Sequence, residues 1–416
     1  MDLNFILLSI AIISCFYMAC NIGANDVANA MGTSVGSKSL TFKQAVLIAA
    51  VAEFAGAFLV GGHVSDTIRK GMLDPGIFQD TPLHLVFGMI AALVAAGVWL
   101  NIASYLGWPV STTHSIVGAV VGFGIIAGGW GALNWGQLGK IVLSWVISPV
   151  MGALVAYILF RVLTRLIFNT RNPLLHTKEI LPPLVFLVFV LLSQSMVYKG
   201  LKNLHLDLEF SQAMMVSVAV GMIAYLVAKF LSSTIEVDRH KDLHEQFTAT
   251  ENIFKYLQMI TAFYIAFAHG SNDVANAVGP LAAVVSILNE GTVHMKVEMP
   301  TWILGLGGGG IVFGLFVWGA KVMKTVGEKI TELTPSRGFC ATFAGATVVL
   351  ICSKMGLPIS TTHTLVGSII GVGLARGLPS LNVAIIKTIF ISWVATLPFT
   401  AVLAMIFYKV LLVSFS

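Results

Sequence analysis

Gly23-Ala24-Asn25-Asp26-Val27-Ala28-Asn29-Ala30 closes a stretch that is otherwise almost wholly apolar from Phe5 to Ala19. An ionisable side chain at the centre of a bilayer costs roughly 2.5–3.5 kcal/mol even on the most lenient insertion scale. The same word returns as Gly270-Ser271-Asn272-Asp273-Val274-Ala275-Asn276-Ala277, again closing an apolar run, Ile260 to Ala268. One such interruption is an accident of sequence; two copies in one apolar chain mark a site.

The surroundings of the two motifs are those of a membrane protein. Of 416 residues, 57% are hydrophobic and only 10% charged, and the mean hydropathy is +0.89; a soluble domain carries about 25% charged residues. Stretches long enough to cross a bilayer as helix, about 20 residues, recur at 84–103, 141–160, 181–198, 213–231 and 388–408. The short alternating segments of a transmembrane barrel are missing. The formal charge of +5 reflects loop Lys and Arg that set orientation and calls for no nucleic acid. Asp2 stands where a signal peptide would carry basic residues, which argues against a cleaved leader. Cys15, Cys20, Cys340 and Cys352 have no metal-ligand spacing and read as small core residues.

Taken in order, a first segment runs from Leu3 through the motif to Met31 and breaks at the Gly-Ala-Asn-Asp turn. An apolar helix at 44–62 carries Glu53, and 63–83 reads as loop. Two apolar arms, 84–104 and 113–128, are separated only by Tyr105 to Thr112. The second arm is too short to span comfortably, which predicts a re-entrant hairpin whose tip stops inside the membrane; the competing reading is two full spans with a tight external turn. A loop at 128–137 and a long helix at 138–168 complete the half. Two linker helices, 181–199 and 211–231, follow, and then a polar stretch from Ser232 to Glu251 that reads as a solvated amphipathic loop.

The second half repeats the first. Asp26 and Asp273 are 247 residues apart, Pro109 and Pro358 are 249, His114 and His363 are 249, and Trp145 and Trp393 are 248. Near-constant spacing of separate landmarks is the signature of duplication. The division expected is a first repeat at 1–168, a linker at 169–251 and a second repeat at 252–416. Five crossings separate the two motifs if each hairpin adds none, and seven if both arms of the intervening hairpin span. Either number is odd, so the repeats are inverted. Sixteen of the 24 Lys and Arg fall on the side of Lys38, Arg161 and Lys255, and seven on the other, with Lys354 at a hairpin. The basic side is then cytoplasmic, and both termini lie outside. The expected fold is an all-α polytopic membrane protein of two inverted-topology repeats, each with a broken helix and a re-entrant hairpin, joined by two linker helices.

Chemistry concentrates in two words. On a helix Asn25 and Asn29 share a face with Asp26, and Asn272, Asp273 and Asn276 repeat the pattern. Oxygen-bearing side chains beside a helix break, where carbonyls are freed, suit a hard cation; the competing reading is that they only tie the break to neighbouring helices. The second word is Pro109-Val110-Ser111-Thr112-Thr113-His114, matched by Pro358-Ile359-Ser360-Thr361-Thr362-His363. Pro followed by hydroxyl residues starts a helix, and a helix start inside a membrane aims N–H donors and partial positive charge at an anion. Two such starts from opposite faces would surround one anion, unless each simply caps the end of a full span. Glu53, aligned with Gly307 to Val312 and so without an acidic counterpart, is a candidate coupling acid or the partner of a nearby donor. Lys354 either helps attract an anion or snorkels. His114 and His363 are expected to hydrogen-bond the tips. No HExxH or other metal-ligand cluster supports an enzyme, and the buried acids, which repel anions unless neutralised, argue against an anion channel.

At these residues the chain resembles the inorganic phosphate transporter (PiT) family of secondary transporters, over essentially its whole length. The resemblance implies symport of inorganic phosphate with sodium or protons across the inner, cytoplasmic membrane by alternating access, with no other cofactor. It places Ser111, Thr112, Thr113, Ser360, Thr361 and Thr362 on phosphate, and Asn25, Asp26, Asn272 and Asp273 on the cations, with sodium a candidate at Asp26 and Asp273. It also implies a homodimer. Because the family includes sulfate carriers, another tetrahedral oxyanion stays open as the cargo.

Overall fold

The computed structural model describes residues 2–61, 72–73, 75–197, 208–237, 242–293, 299–354 and 359–415. Outside them lie most of the first part of the expected 63–83 loop, Pro358, the side chain of Lys354, and Arg69, Lys70, Lys199, Lys202, Arg239, Lys241 and Lys296 of the basic residues counted by side. Among the described residues the only β pairing is one bridge, Leu73 to Leu133, and ten helices are long and apolar enough to cross a membrane. The chain is a multi-pass, all-α membrane protein.

The first segment is α1 (Leu3–Ile22) and α2 (Ala28–Gly36), joined through Gly23–Val27 by a π turn. The interruption is therefore narrower than the sequence suggests. The helical path continues to Gly36, and one wider turn displaces the motif side chains, the form in which helices commonly accommodate a functional site. Next come α3 (Phe42–Val60), the hairpin arms α4 (Pro82–Leu106) and α5 (Thr112–Gly128), and α6 (Trp135–Leu163), which runs on as a π turn to Phe168. The linker helices are α7 (Pro173–Ser195) and α8 (Phe210–Ser233). The second half contains α9 (Leu243–Asp273), α10 (Ala275–Glu290), α11 (Thr301–Trp318), the short α12 (Ala320–Lys324), the arms α13 (Pro335–Lys354) and α14 (Thr361–Arg376), and α15 (Val383–Phe415). One boundary differs from the sequence reading. From Leu243 the polar stretch is already helix, because the Asp242 carboxylate caps it, accepting from Glu245 N at 2.7 Å, and Gln246, Thr250 and Phe254 bury one face.

The two halves interlock rather than sit side by side. α1 packs on α11 and α9 on α3, so each motif helix lies against a helix of the other half. In the same way α6 packs on α14 and α15 on α5. The first residue of each motif permits one of these close approaches. A Cβ at Gly23 would run into the Ile311 carbonyl, and one at Gly270 into the Glu53 carbonyl.

The first hairpin turns where Gly107 adopts φ 72° and Trp108 N donates to Ala103 O at 2.8 Å, a left-handed helix end of the kind glycine makes at low strain. Ser111 then caps α5, its hydroxyl accepting from His114 N at 3.2 Å. Val110, Ser111 and Thr112 are buried. The tip thus ends inside the protein, among the other helices. On the periphery, α8 is mostly unburied by the rest of the chain and presents Met215, Ile223, Phe230 and Leu231 outward, as a lipid-facing helix would.

Gly270→Ala should lower the thermal unfolding midpoint of the detergent-solubilised protein by the equivalent of about 1–3 kcal/mol, the usual cost of forcing a methyl into a packed interior. Gly305→Ala, where an added Cβ meets nothing within 4 Å, should leave the midpoint unchanged or raise it.

Candidate functional site

The two hairpin tips meet in the interior and exchange hydrogen bonds reciprocally. Thr113 Oγ1 donates to Ile359 O, and Thr362 Oγ1, whose proton is shared with Asp26, approaches Val110 O, both at 3.3 Å. These four residues are paired by the 249-residue offset, so the contact joins equivalent points of the repeat. Behind the tips His114 and His363 meet edge to face, with centroids 4.2 Å apart, and lie against Trp145 and Trp393 at 3.6 and 3.5 Å. Among the described residues neither ring hydrogen-bonds a tip. The expectation that these imidazoles hold the tips by hydrogen bonding is corrected: they are clamped between indole rings and support the tips by packing. Trp393 also donates from Nε1 to Pro109 O at 2.9 Å.

Each acid is held by the tip of its own repeat. Thr112 Oγ1 donates to Asp26 Oδ2 at 2.7 Å, with Thr112 N at 3.4 Å from the same oxygen, and Thr361 Oγ1 donates to Asp273 Oδ2 at 2.5 Å. Asp26 accepts a further bond across the repeat boundary, from Thr362 Oγ1 to Oδ1 at 2.7 Å. The asparagines close the lattice crosswise. Asn29 Nδ2 donates to Thr362 Oγ1 and Asn276 Nδ2 to Thr112 Oγ1, both at 3.0 Å. The threonine bonds to the two acids, where these are ionised, are charge-assisted, a kind that is short and roughly twice as strong as neutral ones.

A third acid joins them through a residue the sequence reading passed over. Glu53, fully buried on α3, approaches His269 Nδ1 through Oε2 at 2.8 Å. On the other edge of the ring, His269 Nε2 lies 2.8 Å from Asp273 Oδ2 and 3.8 Å from Asp26 Oδ2, a charge contact more than an aligned hydrogen bond. Three carboxyls therefore surround one imidazole. Even a charged imidazole leaves this cluster negative whenever all three acids are ionised, and a negative cluster buried in a membrane attracts cations. Asp26, His269 and Asp273 offer one ligand atom each within 4.8 Å of one another.

Glu53 and His269 are both outside the repeat. Glu53 aligns with glycines, and the 247-residue offset sets His269 opposite Ile22. Each lacks a counterpart in the other half because its partner is the other one. The signal for His269 was present in the sequence: it lies four residues before Asp273, hence on its helix face, directly against the motif.

Of the other residues singled out by sequence, Asp26, Asn29, Asp273, Asn276, Thr112, Thr113, Thr361 and Thr362 converge at one place. Asn25 turns away to the first hairpin, where its Oδ1 accepts from Val110 N at 3.1 Å and its Nδ2 donates to Trp108 O at 3.0 Å and Ser104 Oγ at 3.1 Å. It holds the tip and does not face the acid cluster. Asn272 Nδ2 donates to Asp273 Oδ1 at 2.8 Å. Ser111 and Ser360 cap their own helices, accepting from His114 N and His363 N at 3.2 and 3.1 Å. Apart from these caps, the hydroxyls, amides and carboxylates of the two words meet at one buried place.

The profile of the phosphate transporter family matches residues 22–404, and the chain belongs to that family, one of transporters and not enzymes. It is 46% identical over 406 residues to a candidate phosphate permease of Thermococcus kodakarensis, covering 98% of each chain. It is also 46% identical to the chloroplast inorganic phosphate transporter 2-1 of Arabidopsis thaliana, covering 94% of this chain and 70% of that one. Among solved structures it resembles one described as the sodium-dependent phosphate transporter, with TM-score 0.90 and 44% identity over 98% of this chain and 99% of the other.

His269→Leu should strip Glu53 of its partner and destabilise the purified protein by about 3–5 kcal/mol, the cost of orphaning one member of a buried ion pair. Glu53→Leu combined with His269→Leu should recover most of that loss. A double variant as unstable as the sum of the single ones would show that the two side chains do not act as a pair.

Proposed function

We propose that the protein is a symporter that carries inorganic phosphate together with a cation, sodium in the first place, into the cell across the inner, cytoplasmic membrane. The observation that supports this most directly is the sharing of donors. Thr112, Thr361 and Thr362, the hydroxyls best placed for an anion at the tips, donate to Asp26 and Asp273. A cation settling on the carboxylates would take over the role of those hydroxyls and free them, with the helix starts behind them, to turn toward phosphate. The anion would then enter a site whose charge the cation has offset. Coupling follows because neither ion is stabilised well without the other.

Sodium suits the donors, which are carboxylate, hydroxyl and amide oxygens, and the sodium dependence stated for the solved relative agrees. Phosphate suits the carboxylates better than sulfate does. At neutral pH phosphate keeps an O–H that can donate to Asp26 or Asp273, whereas sulfate has acceptors only and would face them unpaired.

The reciprocal contacts at the tips accord with two inverted repeats related by a pseudo-twofold axis in the membrane plane, with the division 1–168, 169–251 and 252–416. On that reading the basic face is cytoplasmic and both termini lie outside. Alternating access would arise from one set of elements rocking or sliding past the other around the fixed site.

Purified protein in liposomes should accumulate labelled phosphate when an inward sodium gradient is imposed, and unlabelled sulfate should compete poorly. Asp26→Asn should reduce that uptake by at least about tenfold, corresponding to loss of a charge-assisted interaction. Uptake that ignores both sodium and proton gradients, or that survives Asp26→Asn unaltered, would overturn the symport reading.

A further inference from the structure

A second buried polar cluster lies along the seam between α2, α9 and α13. Gln258 Nε2 reaches Ser34 Oγ at 2.8 Å, Thr342 Oγ1 at 3.1 Å and Thr33 Oγ1 at 3.3 Å, and the two threonine hydroxyls pair at 2.8 Å. Thr33, Ser34, Gln258 and Thr342 are all at 0% exposure. None of them belongs to the motif words, and none is needed to cap a helix.

The cluster is in line with the coupled site. Thr33 is one turn beyond Asn29 on the same face of α2. Gln258 is eleven residues before His269, close to three whole turns, which sets it below His269 on α9 at roughly 16 Å along the axis. Polar groups continue outward from there. Gly338 sits so close that an added Cβ would lie 3.2 Å from Gln258 Cδ and 3.3 Å from Ser37 Cβ. Beyond it, the Glu251 carboxylate accepts from Ser336 N and Oγ at 2.8 and 2.7 Å. The helix ends on this side carry Lys38, Lys43 and Arg337, the basic face of the chain.

The repeat supplies an internal control. At the offsets that superpose the motifs and the tips, Thr33, Ser34, Gln258 and Thr342 correspond to Pro280, Leu281, Ala11 and Leu93. These lie on α10, α1 and α4, which also pack on one another, and they too are buried. The same seam is therefore closed by hydroxyls and an amide toward the basic face and by aliphatic carbon toward the other. Parting an aliphatic seam exposes apolar surface to water. Parting the polar one exchanges protein hydrogen bonds for water ones, which is nearly balanced.

We propose that Thr33, Ser34, Gln258 and Thr342 form the cytoplasmic gate of the transport route: a seam that latches through the Gln258 amide and, when parted, hydrates and lets phosphate and its cation pass between the coupled site and the basic face. This rests on the symport reading above. Gln258 acts on passage and not on binding, which separates it from the residues at the tips.

The test compares wild type with Gln258→Leu, which gives this seam the aliphatic character of its counterpart, and with Thr342→Val, a smaller change of the same kind. Sodium-driven phosphate uptake into liposomes should fall at least about tenfold for Gln258→Leu, while equilibrium binding of labelled phosphate to the solubilised protein in sodium changes by less than about twofold. Thr342→Val should shift in the same direction and serves alone if Gln258→Leu does not fold. Uptake at the wild-type rate, or equal losses in binding and uptake, would overturn the gate. Failure of the wild type itself to take up phosphate would instead count against the symport reading.

Discussion

Everything in this molecule depends on keeping Asp26 and Asp273 inside a membrane protein. A carboxylate there is tolerable only where several donors converge on it, and the chain supplies them from two hairpin tips buried in the protein. The hairpins need hydroxyl residues at their tips, a glycine in the left-handed region at Gly107, and indole rings behind them. The motif helices need glycine at 23 and 270 so that helices of the other half come close enough to enclose the acids. One electrostatic requirement thus accounts for the motif, the hairpins and the interlocking of the two halves.

The internal duplication explains why most of the polar contacts come in matched pairs, and its exceptions are informative. Thr113 to Ile359 mirrors Thr362 to Val110; Asn29 to Thr362 mirrors Asn276 to Thr113, the latter at 3.4 Å. Glu53 and His269 break the pattern together. So does the Gln258 cluster, whose counterpart is aliphatic. A transporter built from two matched halves must still tell inside from outside, and these are two of the places where the match ends, as are Asn25 against Asn272 and the bond from Thr362 to Asp26.

Much of this architecture was legible in the chain. Composition and the length of apolar runs sufficed for the all-α membrane class, because the bilayer sets the length of every span. The offsets between Asp26 and Asp273 and between the two Pro-x-Ser-Thr-Thr-His words disclosed the repeat. The short second arm after Pro109 pointed to the hairpin. Boundaries were less secure: the helix at Leu243 starts well before its apolar run, since a cap and one buried face outweigh the polarity of the rest.

Which side chains meet was decided by the tertiary structure alone. The sequence determined that acids, amides and hydroxyls occur in two matched words, because residue type and spacing fix what each helix face can offer. It did not determine that Asn25 would serve the hairpin backbone, that the two histidines would pack between tryptophans, or that Glu53 would find His269. Such pairings join residues far apart in the chain, up to 336 positions for Asp26 and Thr362, and depend on how helices of opposite halves cross. A helical period reports a face and is silent about what lies opposite. The word Gly-Ala-Asn-Asp-Val-Ala-Asn-Ala announced a site; only the packing of the two halves showed that its acids face the hairpin tips.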